Sequence, residues 1–164
     1  MAHASQTPHH FEVLSRKHPI QFFACEEPEL TNYLLTRAVN DTELNLARTF
    51  VCIDDTVPPP DSVVGYFTLR TAGWSVPYPT LFIPTVEVTY LARHQNRKGE
   101  DWGNVLLSEA CAKVAQAGEL IGIRGVQLKP INRRAKQLNS NFGFRAHPRL
   151  RDYMFLLLTD IPPL

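Results

Sequence analysis

Apolar positions recur with period two in some stretches of this chain and with the helical period in others, and their order outlines a fold. Residues 11–14 alternate weakly and predict a short strand. Over residues 26–39, Leu30, Tyr33, Leu34 and Ala38 share one face, Pro28 stands near the start and acids fill the first turn, the pattern of an amphipathic helix. A helix-forming stretch, residues 42–47, leads into the β-branched and aromatic run 48–54. Prolines 58, 59 and 60 mark a turn over residues 55–61. Residues 62–72 (SVVGYFTLRTA) then return as a long strand, so the two runs predict a hairpin.

Residues 73–84 hold Pro77, Pro79 and Pro84 among Trp74, Tyr78, Leu81 and Phe82. Proline cannot donate to a ladder, so an ordered aromatic loop is expected there. A cleanly alternating strand follows at 85–93, then the polar turn HQNRKGEDWG. Residues 104–117 form a helix with Val105, Leu106, Ala110, Val114 and Ala117 inward, ended by Gly118. Residues 123–129 read as a strand halted by Pro130. Asn132 caps a short helix, 133–141, and residues 142–147 and 153–159 close as two strands. This order implies an α/β fold with a mixed sheet and a right-handed parallel crossover from 85–93 to 123–129. Ligands of such sheets sit beyond the carboxyl ends of the parallel strands, which points to residues 91–103.

With 164 residues, 44% hydrophobic and 20% charged, the chain suits one globular domain, expected over residues 11–164 after a polar, frayed tail of residues 1–10. No apolar run approaches the ~20 residues of a membrane span, and the start lacks the layout of a secretory signal; a reduced, cytoplasmic compartment is expected from the three cysteines, an odd number without a disulfide pattern. Cys25, Cys52 and Cys111 have no C-x-x-C spacing, which argues against a disulfide framework and against zinc. Cys52 and Cys111 read as core thiols, and no metal is expected. Net charge is only +1, yet Arg133, Arg134, Lys136, Arg145, Arg149 and Arg151 lie in a stretch with His147 and no acid. That stretch is either a phosphate-binding face or a solvated surface.

A strand, a polar glycine turn and a helix together present free backbone N–H groups to a phosphate. The first helical N–H groups lack intrahelical partners, and the helix dipole favours an anion there. Glu100, Asp101, Trp102, Gly103 and Asn104 would supply those donors. Gly103 lets the backbone approach the ligand closely, and Arg97 and Lys98 add charge.

Three stretches carry a resemblance to a known family. VEVTYLARHQNRKGEDWGNVLL is similar to the fourth strand and R/Q-x-x-G-x-G/A loop of the GNAT acyltransferases. GVQLKPINRRAKQLNSNFGF is similar to their fifth strand and N-x-x-A-x-x-x-Y-x-x-x-G-F helix. The opening FFACEEPELTNYLLTRAVND, with ARTFV and VVGYFTL, resembles the tRNA-acetylating toxin branch of toxin–antitoxin modules. The resemblance covers roughly residues 11–159. It implies a GNAT fold: a mixed, mostly antiparallel sheet with splayed fourth and fifth strands and helices on both faces.

It also implies an acetyl-CoA site. The pantetheine would pair with the backbone of Leu91, Ala92 and Arg93. The pyrophosphate would rest on the turn, with Lys98, Gly99 and Glu100–Asn104 around it and Asn132 completing the cofactor set. Glu87 matches the strand glutamate that takes the amine proton. As a buried carboxylate it would have a raised pKa; as a solvent-facing strand residue it would have no role. Thr89 and Tyr90 flank the same cleft and read as packing before catalysis. The sequence departs from the family twice. Asp101 stands where the loop's first glycine normally sits, and Asn139 where a tyrosine protonates the departing thiolate; Ser140 or a water would take over that proton transfer.

The expected chemistry is direct transfer, with the amine attacking the thioester and a strand N–H near Leu91 holding the oxyanion. The favoured acceptor is the α-amine of aminoacyl-tRNA, its phosphates held by Arg133, Arg134, Arg145 and Arg149. A ribbon-helix-helix antitoxin and a homodimer are the expected partners. Two alternatives stay open: acetylation of a protein or small amine, and a non-catalytic CoA-binding regulatory module of the same fold.

Overall fold

The computed structural model describes residues 7–77 and 79–163. Seven strands and four α-helices follow in the order β1 (His9–Val13), α1 (Pro28–Thr36), α2 (Ala38–Glu43), β2 (Arg48–Asp54), β3 (Val63–Pro77), β4 (Thr80–Arg93), α3 (Trp102–Gly118), β5 (Gly125–Leu128), α4 (Arg133–Phe142), β6 (Arg145–Ala146) and β7 (Met154–Leu157). The sheet order is β1-β2-β3-β4-β5-β7-β6. It is mixed, as expected. β4 and β5 run parallel, with Thr85, Val86 and Glu87 opposite Gly125, Val126 and Gln127, while β4 continues to Arg93. The pairs β1–β2, β5–β7 and β6–β7 are antiparallel. No helix among the described residues is long and apolar enough to cross a membrane.

The chain divides into two compact units, one of Met1–Thr68 with Tyr90–Leu106 and one of Leu69–Thr89 with Leu107–Leu164. The first is built on Leu14, Phe23, Leu30, Tyr33, Leu34, Val51, Val63 and Tyr66. The Tyr66 hydroxyl donates to the Leu30 carbonyl at 2.7 Å, tying β3 to α1. Tyr33 stacks on Tyr90 with ring centroids 3.7 Å apart. Gly65 is obligatory here: a Cβ at that position would lie 2.7 Å from Leu106 Cδ1 and 2.8 Å from the Ala92 carbonyl. The end of β4 and the first turns of α3 thus close on one strand of this unit.

In the second unit α3 buries Leu107, Ala110, Cys111 and Val114, β5 is buried along its whole length, and β7 contributes Met154 and Leu156. Cys52 and Cys111 are core thiols, and burial pushes the Cys111 thiol up to about 12.

Several sequence expectations need correction. The stretch 73–84 is no loop. β3 runs through Pro77 and β4 begins at Thr80, so the described part of the aromatic segment is a long hairpin. Proline removes a donor but its fixed φ suits extended backbone, and the Pro84 carbonyl still accepts from the Arg124 N–H at 2.8 Å. Gly73 lets the ring of Phe82 lie across the hairpin. The expected helix over 26–39 breaks at Arg37 (φ −127°) into α1 and α2, and Asn45 at φ 57° keeps residues 44–47 out of the helix. His9 and His10, read as tail, pair with Asp54 and Ile53 in β1. The rest of the tail up to residue 6, and Tyr78 of the aromatic segment, lie outside the described residues.

Candidate functional site

In the first unit β4 delivers Leu91, Ala92 and Arg93 to a turn that opens α3. The His94 N–H donates to the Val64 carbonyl at 2.7 Å, and its ring Nδ1 accepts from the Asn96 N–H. Gly99 (φ 85°) and Asp101 (φ 62°) both take left-handed backbone. Asp101 therefore occupies a glycine-like conformation at the position where the family pattern has glycine. Its Oδ1 accepts from the Asn104 side-chain amide at 2.6 Å, and its carbonyl accepts the first helical N–H, from Val105. The backbone N–H groups of Trp102, Gly103 and Asn104 thus form the first turn of a 17-residue helix, where dipole and orphan donors favour an anion.

The charges around this turn are not arranged as sequence alone suggested. Arg97 points inward. Its guanidinium meets Asp54 at 2.7 Å and Glu100 at 2.6 Å and lies 5.4 Å over the Trp102 ring. Burial pushes the Asp54 carboxyl up, but donors from Thr56 and Arg97 outweigh this and hold it below the ordinary carboxylate range. Bonds from Arg97 and Trp102 likewise hold Glu100 low. Trp102 is buried, its indole N–H donating to Glu100. The exposed cation beside the turn is Lys98, 3.6 Å from the Glu26 carboxylate. Arg93 lies 3.5 Å from the same carboxylate.

The second unit holds the other predicted residues. Glu87 is buried on β4 in a polar chain: the Thr85 hydroxyl donates to Gln127 Oε1 at 2.8 Å, Gln127 Nε2 donates to Glu87 Oε1 at 3.0 Å, and Arg70 Nη2 donates to Glu87 Oε2 at 3.3 Å. It is thus an ion-paired carboxylate, and its surroundings are not apolar as expected. Asn132 caps α4, its Oδ1 accepting from the Ala135 N–H at 2.8 Å. Asn139 is buried, and its carbonyl takes the N–H groups of Gly143 and Phe144, ending α4; Ser140 is exposed. Asn132, Arg133, Ser140 and Arg145 line a cavity of about 610 Å³ with Lys129, Lys136 and Tyr153. A second cavity, about 510 Å³, brings Arg124, Arg145 and Arg149 beside Trp74 and Phe155. Arg133, Arg134, Arg145 and Arg149 are exposed.

Sequence reasoning missed Arg70, Gln127 and Tyr153. Gln127 left a signal, a polar residue inside the otherwise apolar strand GVQL. Arg70 and Tyr153 left none, because their relevance depends on strand pairing. Among the described residues no group of three or more side chains could hold a metal ion.

The chain has the GNAT fold, shared with solved toxin structures. A mutant AtaT toxin bound to the C-terminus of the antitoxin AtaR and acetyl-CoA superposes with a TM-score of 0.82, at 24% identity over 93% of this chain and 95% of that one. AtaT complexed with acetyl-methionyl-tRNAfMet superposes with a TM-score of 0.83, at 23% identity over 94% and 97%. In sequence the chain is similar to a tRNA-acetylating toxin of Mycobacterium tuberculosis (strain ATCC 25618 / H37Rv), 26% identical over 149 residues, 84% of this chain and 85% of the relative. No family model matches the chain.

Proposed function

We propose that this chain is an acetyl-CoA-dependent N-acetyltransferase, a toxin that acetylates the α-amine of aminoacyl-tRNA. The observation that carries this reading is the turn from Leu91 to Asn104, where left-handed Gly99 and Asp101 lead into the first turn of α3, whose N–H groups have no intrahelical partners. Leu91, Ala92 and Arg93 hold the pantetheine through their backbone. Glu100–Asn104 cradle the pyrophosphate with Lys98 and Gly99, while Asn132 acts by capping α4. Glu87 takes the proton of the attacking amine. Arg133, Arg134, Arg145 and Arg149 hold tRNA phosphates, a term that adds affinity without reading sequence. The likeness to a tRNA-acetylating toxin over 84% of the chain supports this acceptor.

The chain acts in the cytoplasm, supported by its three free thiols. Its partners are a ribbon-helix-helix antitoxin and a second copy of itself; exposed Leu81 and Phe82 on β4 support the latter. A second reading has a specific observation behind it: Asn139 favours a CoA-binding module without transferase activity. Labelled acetyl-CoA, incubated with charged tRNA, cell protein and polyamines, separates the readings. Label on charged tRNA supports the toxin, label on protein or polyamine the broader transferase, and binding without transfer the module.

A further inference from the structure

The amide of Asn139 cannot supply a proton, so the transferase reading leaves the departing thiolate without an acid from α4. Serine is a poor substitute, since its hydroxyl is a far weaker acid than a phenol. Strand register brings in a better group. Glu87 of β4 pairs with Gln127 of β5, and Gln127 pairs with Phe155 of β7. Tyr153 directly precedes β7, and its ring and that of Phe155 both stand against the His147 ring, so Tyr153 lies on the side that carries Phe155, Gln127 and Glu87. The Tyr153 ring stands edge-on to His147 at 6.4 Å, and its residue lines the 610 Å³ cavity together with Ser140, the neighbour of Asn139. Burial first, and the Glu87 charge second, hold the phenol above its ordinary value against the opposing charge of Arg70, so it stays protonated and available as a donor.

We propose that Tyr153 is the general acid of this enzyme, replacing the family tyrosine absent at position 139. The inference rests on the acetyltransferase reading. The amine nitrogen forms a bond to the acetyl carbon and passes one proton to Glu87. When the tetrahedral intermediate collapses, the C–S bond breaks, its electron pair goes to sulfur, and sulfur takes the proton of Tyr153 Oη. The phenolate regains a proton from the Glu87 carboxylic acid through water. The acetyl group has moved from sulfur to nitrogen and one proton from nitrogen to sulfur, with no oxidation.

Tyr153→Phe keeps the ring against His147 and removes only the hydroxyl. It should bind acetyl-CoA as the wild type does in calorimetry, with KM for acetyl-CoA unchanged, while kcat for transfer to aminoacyl-tRNA falls about 10²-fold. Asn139→Tyr in the same protein should restore most of that loss. Wild-type kcat, followed by rapid quench before the aminoacyl ester hydrolyses, should fall at alkaline pH as the phenol ionises. Wild-type rates in Tyr153→Phe overturn the inference. If that variant does not fold, the pH profile decides, and a wild-type rate flat through the phenol range overturns it. A wild type that moves no acetyl group to any amine instead fails the transferase reading, visible before any variant is made.

Discussion

The guanidinium of Arg97 lies 2.7 Å from the carboxylate of Asp54, a side chain only 1% exposed, and so fastens the polar turn to the end of β2. Arg97→Ala would leave that carboxylate buried with only Thr56 for compensation, and a broken buried pair costs about 3 kcal/mol. The folded-state pKa of Asp54 is depressed, so its contribution is present above the ordinary carboxylate range and lost as pH falls through the folded value. Glu12, held at about 2 by Lys17 and His10, acts in the same direction, losing its smaller surface contribution between its ordinary 4.5 and about 2. Thermal melts should therefore show Tm falling below about pH 4, with a shallower acid slope in Asp54→Asn. An unchanged slope would mean that this pair does not set the acid limb.

Asp101 pays about 1 kcal/mol for left-handed backbone and brings a negative charge to a proposed anion site. Asp101→Gly removes both at the expense of the bond to Asn104. Acetyl-CoA binding, read by calorimetry, should tighten several-fold. Gly103→Val should weaken it at least tenfold, about 1.4 kcal/mol, by crowding the pyrophosphate. Weaker binding in Asp101→Gly would show that the cap on Asn104 matters more than the charge.

Much of this geometry was legible in the sequence, and the rest was hidden for physical reasons. Residues 48–54 were bounded to the residue, because a β-branched run closed by a proline turn has one reading. The strand–turn–helix of residues 85–117 was legible because alternation, glycine and apolar helical spacing agreed. The direction of Arg97 was not, since its partner lies 43 residues earlier in the chain. The hairpin at 73–84 was hidden because three prolines count against a strand, and only the fold shows that their missing donors are tolerated. Tyr153 was invisible for a similar reason: its importance comes from a register shared by three strands.

Glu87→Gln is nearly isosteric and can keep hydrogen bonds to Gln127, while Arg70, half-exposed, loses its charge partner to solvent. If Glu87 is the base, acetyl-CoA binding should stay within twofold while transfer drops 10²-fold or more, most severely at lower pH where more amine is protonated. Transfer kept in Glu87→Gln would reduce Glu87 to a structural link between β4 and β5.

Arg133 and Arg149 are exposed and lie on the stretch without acids. Converting both to Glu should weaken binding of charged tRNA and flatten its salt dependence by about 0.9 per lost phosphate contact in the log–log slope. Acetyl-CoA affinity should not change. An unaltered slope would place the tRNA elsewhere.

The claim that an aminoacyl-tRNA amine receives the acetyl group is tested most directly at the 3′ end of the product. Charged tRNA is incubated with the protein and acetyl-CoA, digested with nuclease, and the terminal aminoacyl-adenosine is weighed by mass spectrometry. The expected result is a gain of one acetyl group on the amino acid, dependent on acetyl-CoA and reduced in Tyr153→Phe. An aminoacyl-adenosine of unchanged mass, with acetyl-CoA still bound by the protein, would contradict it.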